Sequence, residues 1–211
     1  VNESIGSKVT ELKAGQHVFA FSDTAMGCHA EYKCMPQNGL VIVKPINLSD
    51  DEAAALSFGG TTALDFLRRA KLQAGEKILV NGASGSVGTA LVQLAKHFSV
   101  NVTAVCSGAN VDLLRSIGAD RVIDYTQEDF TKNGETYDVI IDTVGTAPYS
   151  RCRASLADSG RLLLVLADLS DMLGASLVSL FSHKKVIAGP VGICIEDLHF
   201  LAELAAAGKC K

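Results

Sequence analysis

A short apolar run, Ile78, Leu79 and Val80, leads into Gly82, Gly85 and Gly88, spaced three apart. After them Val87, Ala90, Leu91, Leu94, Ala95 and Phe98 recur at intervals of three and four. That order predicts a strand, a glycine turn and an amphipathic helix. In such a turn, backbone N–H groups and the positive end of a helix dipole can meet a pyrophosphate. Glycine spacing alone is weak evidence, but its position between a strand and an amphipathic helix makes it strong. Gly82, Ser84, Gly85, Ser86, Val87 and Gly88 are therefore candidate dinucleotide-binding residues. The plainer reading is a tight strand-to-helix turn that binds nothing.

From Lys77 onward the chain alternates. Strands are expected over residues 77–81, 101–106, 121–123, 137–142, 161–166 and 185–189. The helices between and after them are expected at about 86–98, 110–117, 148–156, 175–182 and 195–207. Runs such as Val139-Ile140-Ile141 and Leu162-Leu163-Leu164 are apolar throughout, as strands of a parallel sheet covered on both faces must be. The expected fold class is α/β, a doubly wound Rossmann domain with a six-stranded parallel sheet. Residues 1–45 have a different texture. Short β-prone runs at 17–22, 30–35 and 40–43 are separated by turn-like stretches. Beyond Lys44-Pro45, Ser49 and Glu52 form a capping-box pattern before Ala53–Leu56. A second helix is expected from about Thr61 to Ala70, and the domain boundary near residue 45.

Composition narrows the function classes. The 211 residues carry a net charge of −4, which leaves no electrostatic footprint for nucleic acid, and 6% aromatics with no Trp argue against a stacking platform. No apolar run approaches the ~20 residues of a membrane span. The six cysteines are irregularly spaced without a Cys-x-x-Cys, which fits reduced thiols in a cytoplasmic setting. Cys28 and His29 are neighbours and on a strand would point to opposite faces, against a shared metal. The chain starts at Val1 without Met and stops just after an expected helix, so it reads as an internal piece of a longer protein.

Together these stretches resemble the medium-chain dehydrogenase/reductase superfamily, in its zinc-free quinone oxidoreductase branch. The resemblance is carried by Ile5–Val9 with Gly15–Phe19, Gly27–Tyr32, Ala53–Leu67, Gly82–Gly88, Leu114–Tyr125, Asp138–Gly145, Gly189-Pro190 and Asp197–Lys209. It implies that residues 1–45 are part of a β-rich, GroES-like catalytic domain and residues 46–211 the NAD(P)-binding Rossmann domain. It also implies that the rest of the catalytic domain lies outside this chain.

The resemblance raises the question of zinc, since zinc alcohol dehydrogenases belong to the same superfamily. Their four-cysteine lobe would fall within Ser22–His29, which holds one cysteine, and a structural zinc needs about four S or N ligands. Their catalytic ligand near Leu56–Gly60 is also missing, so no zinc is expected. An NAD site usually carries an acid about 20 residues past the glycines. Here the second strand ends Cys106-Ser107-Gly108, with no acid. NADPH is therefore expected over NADH. The resemblance implies Ser107 and Tyr125 at the 2′-phosphate end, although the usual Lys or Arg is missing. It implies Thr62 beside the nicotinamide, and Thr143, ending the fourth strand, is a candidate contact. Taken as helix features, Ser107 is equally a cap and Thr62 a packing residue.

The implied reaction is hydride transfer to a quinone or an activated C=C or C=O, with no catalytic residue identified in the chain. The expected partners are a small-molecule electrophile or quinone, with no nucleic acid and no membrane, and a homodimer as one candidate assembly. The alternative is a non-enzymatic NADPH-binding relative, crystallin-like, RNA-binding or regulatory. A Rossmann methyltransferase would want an acid after the second strand, which counts against it.

Overall fold

A computed structural model describes residues 1–22, 25–168, 172, 174, 175, 178 and 182–210. In chain order its elements begin with β1 (Val18–Ala20), β2 (Val41–Val43), α1 (Asp50–Ala55), a π-helical turn (Leu56–Gly60) and α2 (Thr61–Ala70). They continue with β3 (Lys77–Asn81), α3 (Ser86–His97), β4 (Asn101–Cys106), α4 (Val111–Ser116), β5 (Arg121–Asp124) and β6 (Tyr137–Asp142). The last are α5 (Tyr149–Cys152), β7 (Leu156–Leu164), β8 (Lys185–Ile187) and α6 (Ile195–Ala206). Short 3₁₀ turns precede α4 and follow β5. Among the described residues no helix is long and apolar enough to cross a membrane.

The chain separates into two compact units, Val1–Thr61 with Ile193–Lys211, and Thr62–Gly192. The expected boundary at residue 45 differs from this division, because α1 and α6 fall with the first unit. In that unit β1 and β2 pair antiparallel, with Val18 opposite Val43 and Ala20 opposite Val41. Ser49 caps α1 as its pattern predicts: Ser49 Oγ accepts from Glu52 N at 3.1 Å, and Glu52 Oε2 accepts from Ser49 N at 2.8 Å. The expected strand over 30–35 does not form. β-propensity needs a partner strand to be realised, and here that stretch runs exposed, with Lys33 Nζ donating to the Met26 carbonyl.

The second unit holds a six-stranded parallel sheet in the order β5-β4-β3-β6-β7-β8. Strand order reverses between β3 and β6, the switch point at which open α/β sheets bind ligands. The apolar runs that predicted these strands are their cores: Ile78, Leu79, Val80, Val139, Ile140, Ile141, Leu162 and Leu163 have no exposed surface. Each such side chain contributes about 1.5–3 kcal/mol by burial.

Two boundaries differ from expectation. Helix α5 is one short turn, because β7 starts early, with Leu156 opposite Tyr137. The register then shifts, Val139 pairing with Arg161, to absorb a bulge at Ala157–Gly160, where a Cβ on Gly160 would lie 2.9 Å from the Ala157 carbonyl oxygen. The π-helical turn was not expected either; a Cβ at its Gly60 would lie 2.9 Å from Leu201 Cδ1, so α6 closes on bare backbone. The helix expected at 175–182 lies largely outside the described residues, as do Asp23 and Thr24 of an expected turn.

Candidate functional site

The three glycines of the turn meet different demands. Gly82 has φ +80°, and a Cβ there would lie 2.5 Å from both Thr143 Oγ1 and Val144 Cγ1. At Gly88 a Cβ would lie 2.3 Å from the Gly82 carbonyl oxygen and 2.6 Å from Ala83 Cα. Close packing of α3 against its own turn therefore requires Gly88, and the left-handed backbone requires Gly82. Gly85 is different: its φ of −79° suits any residue, and a Cβ would meet nothing nearer than the Gly82 carbonyl oxygen at 3.6 Å. No protein contact demands a glycine there. Gly85 and Ser86 are exposed, Ser84 and Val87 half-buried, and no side chain caps the start of α3. Helix starts leave backbone N–H groups without intrahelical acceptors. Open space over Gly85 beside an uncapped helix of twelve residues fits a pyrophosphate.

Side chains from β3 and β6 hold the turn. Asn81 and Asp142 are cross-strand partners at the switch point, and both are buried. Asn81 Nδ2 donates to Asp142 Oδ1 at 3.0 Å and to Thr146 Oγ1 at 2.9 Å. Asp142 also accepts from the N–H groups of Val144, Gly145 and Ala147, which fixes the loop after β6. Thr143 Oγ1 donates to the carbonyls of Asn81 at 2.9 Å and Gly82 at 3.2 Å. Thr143 thus spends its proton on the backbone of the turn. Ala83 N donates to the Val105 carbonyl at 2.9 Å, tying the turn to β4.

A second cluster forms where β4 and β5 end. Tyr125 N donates to the Cys106 carbonyl at 3.0 Å, which brings the exposed Tyr125 beside Ser107. Ser107 stands at the cap position of the turn at 108–110, but its side chain makes no capping bond; Ser107 Oγ accepts from Asn110 Nδ2 at 3.1 Å. A Cβ at Gly108 would lie 2.7 Å from Asp124 Oδ2. An acid therefore does stand at this corner, supplied by the next strand instead of by β4. Its other oxygen accepts from Thr126 N and Thr126 Oγ1. Thr62 is set apart from both clusters: it is buried near the start of α2 and shares no hydrogen bond with the turn among the described residues.

The two nearby thiols, Cys106 and Cys152, are buried. Burial, and then the Asp124 carboxylate, pushes the Cys106 thiol up. Burial, followed by Asp142, pushes Cys152 up to about 12, and its Sγ donates to the carbonyls of Ala147 and Pro148. Among the described residues no group of three His, Cys, Asp or Glu side chains could hold a metal ion.

Sequence reasoning missed Asn81, Thr146 and Asp124. A polar residue closing a buried strand was a usable signal for Asn81. The approach of Asp124 to Gly108 depends on strand register and left no local signal.

The family model described as "Zinc-binding dehydrogenase" matches residues 117–211. A protein of Arabidopsis thaliana named chloroplast envelope quinone oxidoreductase homolog is 32% identical over 98% of this chain and 66% of its own length. A second one from that plant, named NADPH-dependent alkenal/one oxidoreductase, chloroplastic, is 38% identical over 67% of this chain and 39% of its own length. The solved structure of the quinone oxidoreductase from Coxiella burnetii superposes with a TM-score of 0.87 at 28% identity, over 98% of this chain and 65% of that one. The chain thus spans between about one third and two thirds of the length of curated relatives it matches.

Proposed function

This chain belongs to the medium-chain dehydrogenase/reductase superfamily, in its quinone oxidoreductase branch, and on that footing we propose that it serves a zinc-independent, NADPH-dependent oxidoreductase. The acceptor class is a quinone or an activated C=C or C=O. The observation that carries the reading is the open space over Gly85 at the uncapped start of α3, at the switch point of the sheet. The bound nicotinamide supplies the hydride; the protein supplies orientation and binding.

In this reading Gly82, Ser84, Gly85, Ser86, Val87 and Gly88 receive the pyrophosphate. Thr143, Asn81 and Asp142 keep that turn in one shape. Ser107 and Tyr125 take the 2′-phosphate end, and Thr62 the nicotinamide end. Support for NADPH comes from the absence of an acid on β4 and from the name of the second plant relative. Asp124, whose carboxylate stands beside Gly108, works against it. Residues 1–45 supply part of a GroES-like domain, and a homodimer is the proposed assembly, with no nucleic-acid partner. The absence of Cys or carboxylate over Leu56–Gly60 supports zinc independence. Six free cysteines support a reducing compartment, the cytoplasm or, after the names of the plant relatives, a chloroplast.

Equilibrium titration of the purified protein with NADPH and NADH, together with metal analysis, tests the reading. NADPH should bind at least roughly tenfold tighter, the worth of one charge-assisted contact. Equal affinities would remove the NADPH preference, binding of neither nucleotide would remove the site, and one tightly held zinc per chain would remove the zinc independence. NADPH oxidation that depends on an added quinone or enone tests the acceptor class.

A further inference from the structure

After β8 ends at Ile187 the chain has no further ladder to follow. Gly189 turns it at φ +116°, and Pro190 has no N–H to donate. One side chain gathers this stretch. Arg69, near the end of α2, donates from Nη2 to the Ala188 carbonyl at 2.6 Å, and from Nη1 to the carbonyls of Gly189 and Pro190 at 3.4 Å each. The guanidinium is itself held: Asp65, one helical turn earlier, lies 3.5 Å away, and the buried Phe66 ring sits 4.9 Å below Arg69 Cζ. A Cβ at Gly192 would lie 3.8 Å from Asp65 Oδ1, so residues 188–192 run back along α2 from Arg69 to Asp65, in the direction of Thr62. A planar guanidinium offers five donors in a rigid fork that fixes the spacing of the carbonyls it holds, whereas an ammonium is a single rotatable point charge.

A dinucleotide in a doubly wound sheet lies across the switch point, one half over each half-sheet. Ser107 and Tyr125 put the adenosine half over β4 and β5. The nicotinamide half then lies over the carboxyl ends of β6, β7 and β8, where residues 188–192 leave the sheet. We propose that Arg69 is a positioning residue for the nicotinamide half of the cofactor, acting through the path it imposes on residues 188–192. This rests on the dinucleotide site proposed above.

The two halves of the cofactor can be tested separately. NADPH fills both; adenosine 2′,5′-bisphosphate fills only the adenosine half. Arg69→Gln should weaken NADPH roughly tenfold or more, the worth of one charge-assisted hydrogen bond, and leave the bisphosphate within about twofold of wild type. Arg69→Lys, which keeps the charge and the stem over Phe66, should recover part of the loss. Equal weakening of both ligands in Arg69→Gln, or no weakening of NADPH, overturns the proposal while the site itself stands. If wild type binds neither ligand, the functional reading falls and this inference falls with it. Should Arg69→Gln lose the native circular dichroism spectrum, Arg69→Lys carries the same comparison, and unchanged NADPH affinity in that variant overturns the proposal.

Discussion

The glycine turn after β3 and the corner after β4 stand at the same carboxyl edge of one sheet, but they are specified in different ways. At the turn the backbone decides. Gly82 and Gly88 are fixed by distances of 2.5 Å or less from where a Cβ would lie to neighbouring atoms, and Gly85 is left open. At the corner side chains decide: Ser107, Asn110, Tyr125 and Asp124 arrive from two strands and the turn between them. A backbone site admits any pyrophosphate, because N–H groups carry no further information. A side-chain site can discriminate between 2′-hydroxyl and 2′-phosphate, and can be changed without disturbing the fold.

Three substitutions probe that contrast. Gly88→Val should have the largest effect. Its Cβ would collide with the backbone of Gly82 and Ala83, which no rotamer change relieves. We expect at least about 3 kcal/mol of lost stability, the upper end for overpacking, read as a lowered midpoint in urea unfolding, with cofactor binding lost as well. A stable Gly88→Val protein would mean that the turn is not backbone-limited.

Gly85→Val should separate binding from folding. Its Cβ meets no atom nearer than 3.6 Å, and the backbone there is extended. A thermal midpoint within a few degrees of wild type should accompany a loss of NADPH affinity of about a hundredfold, equivalent to two charge-assisted hydrogen bonds. Titration calorimetry with unchanged affinity would take the pyrophosphate away from this turn.

The smallest effect belongs to the corner. Ser107→Asp should move the NADPH-to-NADH affinity ratio towards NADH by roughly tenfold, with little change in unfolding midpoint. A ratio that stays put would mean that Ser107 does not face the 2′ position, and would direct attention to Asp124.

The glycine turn and the six strands were legible because local signals agreed: apolar runs, glycine spacing and an amphipathic helix met within 22 residues. The Ser49–Glu52 capping box was legible for the same reason, its partners being three residues apart. What escaped was non-local. Residues 30–35 have no strand beside them among the described residues. The π-helical turn depends on Leu201 closing on Gly60 from 141 residues further along the chain. Asp124 reaches Gly108 only through parallel register, and Arg69 reaches the carbonyls of residues 188–190 across about 120 residues. In each of these cases the local sequence carries no mark of the partner.

The most direct test of the central claim follows the backbone amides of Ser86, Val87 and Gly88 by nuclear magnetic resonance during titration with NADPH. These three resonances should shift and saturate together with the amides of Ser107 and Tyr125, because one molecule covers both places. Saturation at the Ser107 corner with the Ser86–Gly88 amides unmoved would contradict it.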